Sequence, residues 1–175
     1  MYTRIATNFD IDTLVFFYQQ LQETTRRLYA PHPMDRESLQ QQVADPAYKM
    51  LLSFIDNELA GYQVFLQGAF PWERDRYKQY GIVLDPLTAS YAPVLGDGYQ
   101  GRGLGPVQLT QALPYLKEAG ITRLILWGGV QCANIRAVNF YLKNGFRIVG
   151  YFDWEGANYD MISTIDGSHN RPASL

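Results

Sequence analysis

The chain has 175 residues, of which 47% are hydrophobic and 18% are charged, and its formal net charge at pH 7 is −2. These values are typical of one soluble globular domain, and no segment approaches the ~18 consecutive apolar residues of a membrane span. The small negative charge argues against nonspecific nucleic-acid binding, and the N-terminus lacks the apolar core of a signal peptide, so we expect a cytoplasmic location. We predict a single domain over residues 1–165 and a frayed tail over residues 166–175.

The composition also disfavours disulfides and metal sites. Cys132 is the only cysteine, which excludes an intrachain disulfide and a cysteine zinc cluster. With only His32 and His169, a histidine-based metal site is disfavoured as well. We therefore expect no metal cofactor.

The N-terminal part of the chain predicts a strand over residues 2–7 and then two helices. The first helix has an apolar face at spacings of three, four and seven, made of Leu14, Phe17, Leu21 and Leu28. Asp35 marks the start of the second helix. The break between them, Tyr29–Pro33, either lines a substrate pocket or is a loop fixed by its prolines.

Residues 50–66 read as an antiparallel hairpin with a turn at residues 56–58. The charged and aromatic segment that follows, residues 70–80, is longer than the usual hairpin loop of about two to five residues. We interpret it as a substrate-side flap, a subunit contact or a solvated insertion. The next strand, residues 89–95, contains Pro93, which cannot donate to a ladder and indicates a bulge or an unpaired position.

A glycine-rich loop, Q-G-R-G-L-G at residues 100–105, connects that strand to a helix expected to begin at Pro106. Glycines allow the backbone to take positive φ and to approach a ligand closely, and proline fits the first turn of a helix. The start of a helix exposes unpaired N–H groups that suit an anion such as phosphate. The spacing is neither a Walker loop nor G-x-G-x-x-G, so the loop is a phosphate site of another kind or a plain turn.

The helix after the loop has a predicted buried stripe of Leu109, Leu113 and Leu116. A strand follows, and then N-I-R-A-V-N-F-Y-L-K-N-G-F at residues 134–146. Asn134 is a candidate N-cap of this second helix. Tyr141 shares a helical face with Ala137 and Phe140, and by spacing alone it is a core tyrosine. A closing hairpin over residues 146–164 completes the chain.

The two motifs together, Q-x-x-G-x-G opening a helix and then N-x-x-A-x-x-F-Y-x-K-x-G-F, resemble the GNAT superfamily of acyl-CoA-dependent N-acetyltransferases. The resemblance covers about residues 91–152. It implies an α/β (α+β) fold with a central mixed, mostly antiparallel sheet of six or seven strands flanked by about four helices. It also implies a splayed pair of strands that forms the cleft for CoA.

The resemblance further implies transfer of the acetyl group of acetyl-CoA to a primary amine, by direct attack in a ternary complex. It assigns the strand before the loop to pantetheine, the glycine loop to pyrophosphate and Tyr141 to general-acid catalysis. The implied cofactor-binding residues are Val94, Leu95, Gln100, Gly101, Arg102, Gly103, Leu104, Gly105, Pro106, Asn134, Ala137 and Phe140.

The family often has a glutamate on the strand before the loop, whereas this strand offers Ser90 and Tyr91 and no acid. The general base is therefore Glu73, Asp85, Asp97 or water. The missing acid leaves a second hypothesis open, a noncatalytic acyl-CoA-binding sensor or interaction module. An amine-bearing acceptor is the expected partner, and a homodimer through exposed strands or the 70–80 segment is also considered.

Overall fold

The computed structural model describes residues 1–165, so the predicted tail over residues 166–175 lies outside the described residues. The strands are β1 (Tyr2–Ile5), β2 (Tyr48–Ile55), β3 (Glu58–Gln67), β4 (Thr88–Leu95), β5 (Arg123–Leu126), β6 (Val130–Gln131), β7 (Arg147–Asp153) and β8 (Ala157–Thr164). The helices are α1 (Ile11–Gln20), α2 (Glu23–Leu28), α3 (Arg36–Ala44), α4 (Pro71–Gln79), α5 (Leu104–Glu118) and α6 (Ile135–Lys143). The predicted fold class is confirmed: a mixed α/β chain with mostly antiparallel strands.

The chain forms two compact units, and the first comprises Met1–Leu66 and Tyr91–Ala112. Its strands follow the order β1-β2-β3-β4, with antiparallel pairing of β1 with β2 and of β2 with β3. The β2–β3 hairpin turns at Asp56 and Asn57, which both have positive φ, as residues of a tight hairpin turn require. The hairpin is thus confirmed where the sequence predicts it.

The second unit comprises Gln67–Ser90 and the chain from Leu113 onward. Its strands β5, β6 and β7 all pair with β8. All three of these pairings are antiparallel. The unit has a buried apolar cluster of its own, made of Ala69, Tyr77, Leu84, Ile125 and Ile162.

The predicted first helix is interrupted, because α1 ends at Gln20 and the backbone is extended at Leu21. Asp97 stabilises the interruption from a distant part of the chain: its carboxylate accepts hydrogen bonds from Gln22 N and Thr25 Oγ1 at the start of α2. The apolar face of the prediction therefore holds only as far as Leu21. Leu28 was predicted wrongly to be buried and is 51% exposed.

Residues 70–80 are not a solvated insertion, since they form α4 with Pro71 at its first position. Glu73 and Tyr77 are fully buried on one side of this helix, and the Tyr77 hydroxyl donates to the carbonyl of Met161 at 2.8 Å. Helix α4, the separate α2 and the two-residue β6 account for eight strands and six α-helices in residues 1–165, against six or seven strands and about four helices expected.

Helix α5 begins at Leu104, two residues before the predicted start, so Gly105 and Pro106 lie in its first turn. Its buried positions are Gln108, Leu109, Ala112 and Leu116, whereas Leu113 is only half-buried. The prediction was wrong at Leu113, because the smaller Ala112 is the buried residue at this point of the helix. Pro114 lies inside the helix.

Candidate functional site

Two of the three glycines of the loop in the first unit have the positive φ that the sequence predicts, and the third, Gly105, lies in helix α5. Gly101 and Gly103 have φ of +73° and +72°, which favour glycine strongly, and a Cβ at either position would meet no atom within 4 Å. The loop is therefore open to a ligand. The first N–H groups of α5 have no acceptor within the helix, and Pro106 removes only one of them.

The loop is fixed to the end of β4 by Gln100, whose Nε2 donates to the carbonyl of Leu95 at 3.0 Å. Arg102 lies next to the ring of Tyr99, with its guanidinium carbon 5.9 Å from the ring centroid, and it is exposed. An exposed guanidinium between two open glycines adds a positive charge to the helix start. The structure thus brings Val94, Leu95 and the predicted residues 100–106 into one region.

The other predicted residues lie together on α6 in the second unit. Asn134 is the N-cap of this helix, because its Oδ1 accepts from Ala137 N at 3.2 Å. The Tyr141 ring packs edge-on against the rings of Phe140 and Phe146, and only 8% of the residue is exposed. Burial raises the pKa of the Tyr141 hydroxyl well above its ordinary value, so the group keeps its proton at neutral pH.

Both carboxylate oxygens of Glu73, the first candidate base, accept hydrogen bonds from groups of the second unit. Oε2 accepts from the Ser90 hydroxyl and from Phe70 N, and Oε1 accepts from Gly128 N at 3.0 Å. Burial raises the pKa of the Glu73 carboxyl, although these donors partly offset the effect. The carboxylate is fully buried and bonded on both oxygens, which is the arrangement of a structural anchor.

The other two acids are engaged in local structure. Asp85 pairs with Arg123 at 2.6 Å and accepts from Leu87 N and the Thr88 hydroxyl, and these contacts hold the pKa of its carboxyl below the ordinary value despite desolvation. Asp97 accepts the two hydrogen bonds at the start of α2. Both carboxylates are thus occupied by structural contacts.

The Tyr29–Pro33 segment contains a histidine with both ring nitrogens engaged. His32 Nδ1 lies 2.9 Å from the carbonyl of Pro33, and Nε2 lies 3.0 Å from the hydroxyl of the fully buried Tyr62. Because Nδ1 faces a carbonyl, it carries the proton, and Nε2 accepts from Tyr62. Tyr29 donates to the carbonyl of Ala92 on β4 at 3.3 Å, so the segment is anchored to that strand.

Cys132 is half-buried, and its thiol is hydrogen-bonded to the side chain of Tyr159. No group of three or more histidine, cysteine or acidic residues within residues 1–165 is arranged to hold a metal ion. None of the helices in the same range combines the length and apolarity that crossing a membrane requires.

Sequence reasoning missed Gln108, which is 1% exposed and points its amide at the carbonyl of Val94. A polar residue in a helix is normally assigned to the solvent face. The available signal was Gly61 inside the second strand of the hairpin, since an isolated strand glycine often marks a bulge or the close approach of another group, and the β2–β3 register shifts beside it.

Solved structures with the same fold include acetyltransferases that are named for different acceptor substrates. The aminoglycoside acetyltransferase AAC(6')-Ib with coenzyme A and kanamycin is 20% identical, with a TM-score of 0.69 over 94% of this chain and 94% of that chain. A ribosomal-protein-alanine N-acetyltransferase from Brucella melitensis is 17% identical, with a TM-score of 0.72 over 94% of this chain and 100% of that chain. A chimera of the spermidine N-acetyltransferase SpeG from Vibrio cholerae and hSSAT is 15% identical, with a TM-score of 0.67 over 94% and 96%.

At these identities the likeness shows the fold alone. No protein of curated function matches the sequence significantly. The profile of the acetyltransferase (GNAT) family, however, matches residues 14–146, which is most of the chain. The resemblance seen in the two motifs is confirmed, and this chain belongs to the GNAT acetyltransferase family.

Proposed function

We propose that this protein transfers the acetyl group of acetyl-CoA to a primary amine, either of a small molecule or of a peptide N-terminus. The observation that carries the proposal is the open glycine loop at the start of a 15-residue helix. Gly101 and Gly103 leave their backbone uncovered, and Arg102 and the helix start supply positive charge. This combination fits a pyrophosphate.

The proposal assigns the other parts of the same ligand to further residues of the chain. In the proposal the backbone of Val94 and Leu95 binds the pantetheine arm, and residues 100–106 bind the pyrophosphate. Asn134, Ala137 and Phe140 are assigned to the cofactor through the family motif on α6. Asn134 fulfils this role in addition to its observed one as the N-cap.

The thioester supplies an activated acetyl group. The amine nitrogen attacks its carbonyl carbon, a C–N bond forms, and the C–S bond breaks. An N–H group of Val94 or Leu95 stabilises the negative charge that develops on the carbonyl oxygen. Tyr141 donates its proton toward the departing sulfur, and its raised pKa keeps the proton in place until then, although it makes the hydroxyl a weaker acid.

The attacking amine must itself lose a proton, since the pKa is about 10.4 for an alkylamine such as that of lysine and about 7.7–8.0 for a peptide N-terminus. Glu73, Asp85 and Asp97 are all engaged in structural contacts, so we assign this proton to water. The alternative, in which the chain binds acyl-CoA without transferring the acyl group, is motivated by the same lack of an available acid. A cytoplasmic location and a homodimer stay predictions.

Thiol release measured with acetyl-CoA and a panel of primary amines tests the proposal. The panel includes a polyamine, an aminoglycoside and peptides with a free N-terminus, and each amine is matched by its N-acetylated form as a control. We expect release with at least one amine and none with its acetylated form. Binding of acetyl-CoA without any amine-dependent release would support the sensor instead.

A further inference from the structure

Helix α5 contains a buried glutamine that connects it to β4 within the first unit. Gln108 is the fifth residue of the helix, it is 1% exposed, and its Nε2 lies 3.4 Å from the carbonyl oxygen of Val94. A buried amide is unfavourable unless it is hydrogen-bonded, and a leucine of similar size would fill the space without that requirement. The polar side chain therefore has a role besides packing.

The opposite strand leaves room for this contact. A Cβ on Gly61 of β3 would lie 2.5 Å from Gln108 Nε2 and 2.9 Å from the oxygen of Val94. A Cβ atom essentially never lies this close to another heavy atom, so any other residue at this position would displace the amide or the strand. The absence of a side chain at Gly61 therefore leaves the space that the Gln108 amide occupies.

Further hydrogen bonds hold the same region of the helix. Gln63 donates to the backbone carbonyl of Gln108 at 3.1 Å, and the Tyr91 hydroxyl donates to Gln63 Oε1 at 3.0 Å. Gln63 and Tyr91 are both almost fully buried. A buried network with its groups satisfied is rigid, so it fixes α5 relative to β3 and β4.

We infer that Gln108 is a positioning residue that sets the place of the Val94–Leu95 backbone relative to the glycine loop. The inference rests on the proposed function, in which the loop binds the pyrophosphate and the strand binds the pantetheine arm of one ligand. Gln100 holds Leu95 from the loop side, and Gln108 holds Val94 from the helix side. Since productive binding depends on sub-ångström placement, loosening Val94 harms recognition of the pantetheine arm and leaves the pyrophosphate contacts unchanged.

The test compares two ligands that differ only in that arm, acetyl-CoA and 3′-phospho-ADP, by calorimetry on the whole protein. Gln108→Met removes the donor and keeps the length of the side chain. We expect it to weaken acetyl-CoA binding by about tenfold, because ordering Val94 on binding then costs about the free energy of the hydrogen bond that held it, and to leave 3′-phospho-ADP binding within about twofold. Gly61→Ala, which displaces the amide, should likewise weaken the binding of acetyl-CoA and not that of 3′-phospho-ADP.

Gln111 provides the matched control, because it is another glutamine of α5 whose side chain bonds to Thr3 and to the Met1 carbonyl. Gln111→Met should lower stability and leave the ratio of the two affinities unchanged. Equal weakening of both ligands by Gln108→Met, no weakening, or failure of both test variants to fold while the control folds would overturn the inference. If the wild type binds neither ligand, the proposed function itself has failed.

Discussion

The glycine loop and the region around Glu73 are both rich in polar groups, but they differ in how those groups are used. At the loop, Gly101 and Gly103 have nothing within 4 Å of where a side chain would begin, and the helix start has donors without an acceptor inside the helix. Around Glu73 each donor already has the carboxylate as its partner, and the residue is fully buried. A binding site leaves groups available to a ligand, whereas a structural anchor satisfies all of its own.

The largest effect on activity is expected at Tyr141, the one predicted catalytic side chain. Tyr141→Phe should lower kcat by about 10²-fold or more, because general-acid catalysis is typically worth about 10² to 10⁴-fold, and should leave acetyl-CoA affinity nearly intact. Steady-state kinetics and calorimetry on the same preparation measure both quantities. Tyr151→Phe, at an exposed tyrosine, is the control, and an unchanged kcat in the Tyr141 variant would remove this residue from the mechanism.

Replacement of Glu73 should lower the stability of the folded protein and leave kcat unchanged, the opposite of the effect expected at Tyr141. In Glu73→Gln an amide nitrogen replaces one carboxylate oxygen and leaves a partly buried donor, such as Gly128 N, without its acceptor. We expect the free energy of unfolding to fall by about 1–3 kcal/mol in denaturant titrations. Glu118→Gln, at an exposed carboxylate, is the control.

The pH dependence of the same variant provides a second check. Because burial raises the pKa of Glu73, the folded state binds its proton more tightly than the unfolded state does. The resulting stabilisation is fully present below the unfolded pKa and is lost as pH rises through the folded one. The glutamine variant should lack this decline, and a large loss of kcat per folded molecule would instead make Glu73 a catalytic group.

The sequence predicted well those features that depend on nearby residues. Three such features are the positive φ of Gly101 and Gly103, the Asn134 cap and the hairpin turn at residues 56–57. Each is determined within a few positions of the chain. The interruption between α1 and α2 was missed because its stabilising carboxylate, Asp97, is 75 residues from Gln22. Local periodicity contains no information on such a contact.

The same reason explains the errors at α4 and α5. The polar composition of residues 70–80 suggested solvent exposure, yet Glu73 is satisfied by Ser90 and Gly128 and Tyr77 by Met161, all of which are distant in sequence. Gln108 is buried because Gly61 leaves space for it. The roles of the residues in acetyl transfer were suggested by the family motifs, and they stay proposals.

Calorimetric titration with acetyl-CoA and with ATP, on the wild type and on Gly103→Val, tests the central claim most directly. At φ of +72° a β-branched residue is strained and covers the open backbone of the loop. We expect the wild type to bind acetyl-CoA, ATP to bind far more weakly because it lacks the pantetheine arm, and the variant to bind acetyl-CoA at least about tenfold more weakly than the wild type. Absence of acetyl-CoA binding by the wild type, or undiminished binding by the variant, would contradict the assignment of this loop to the pyrophosphate.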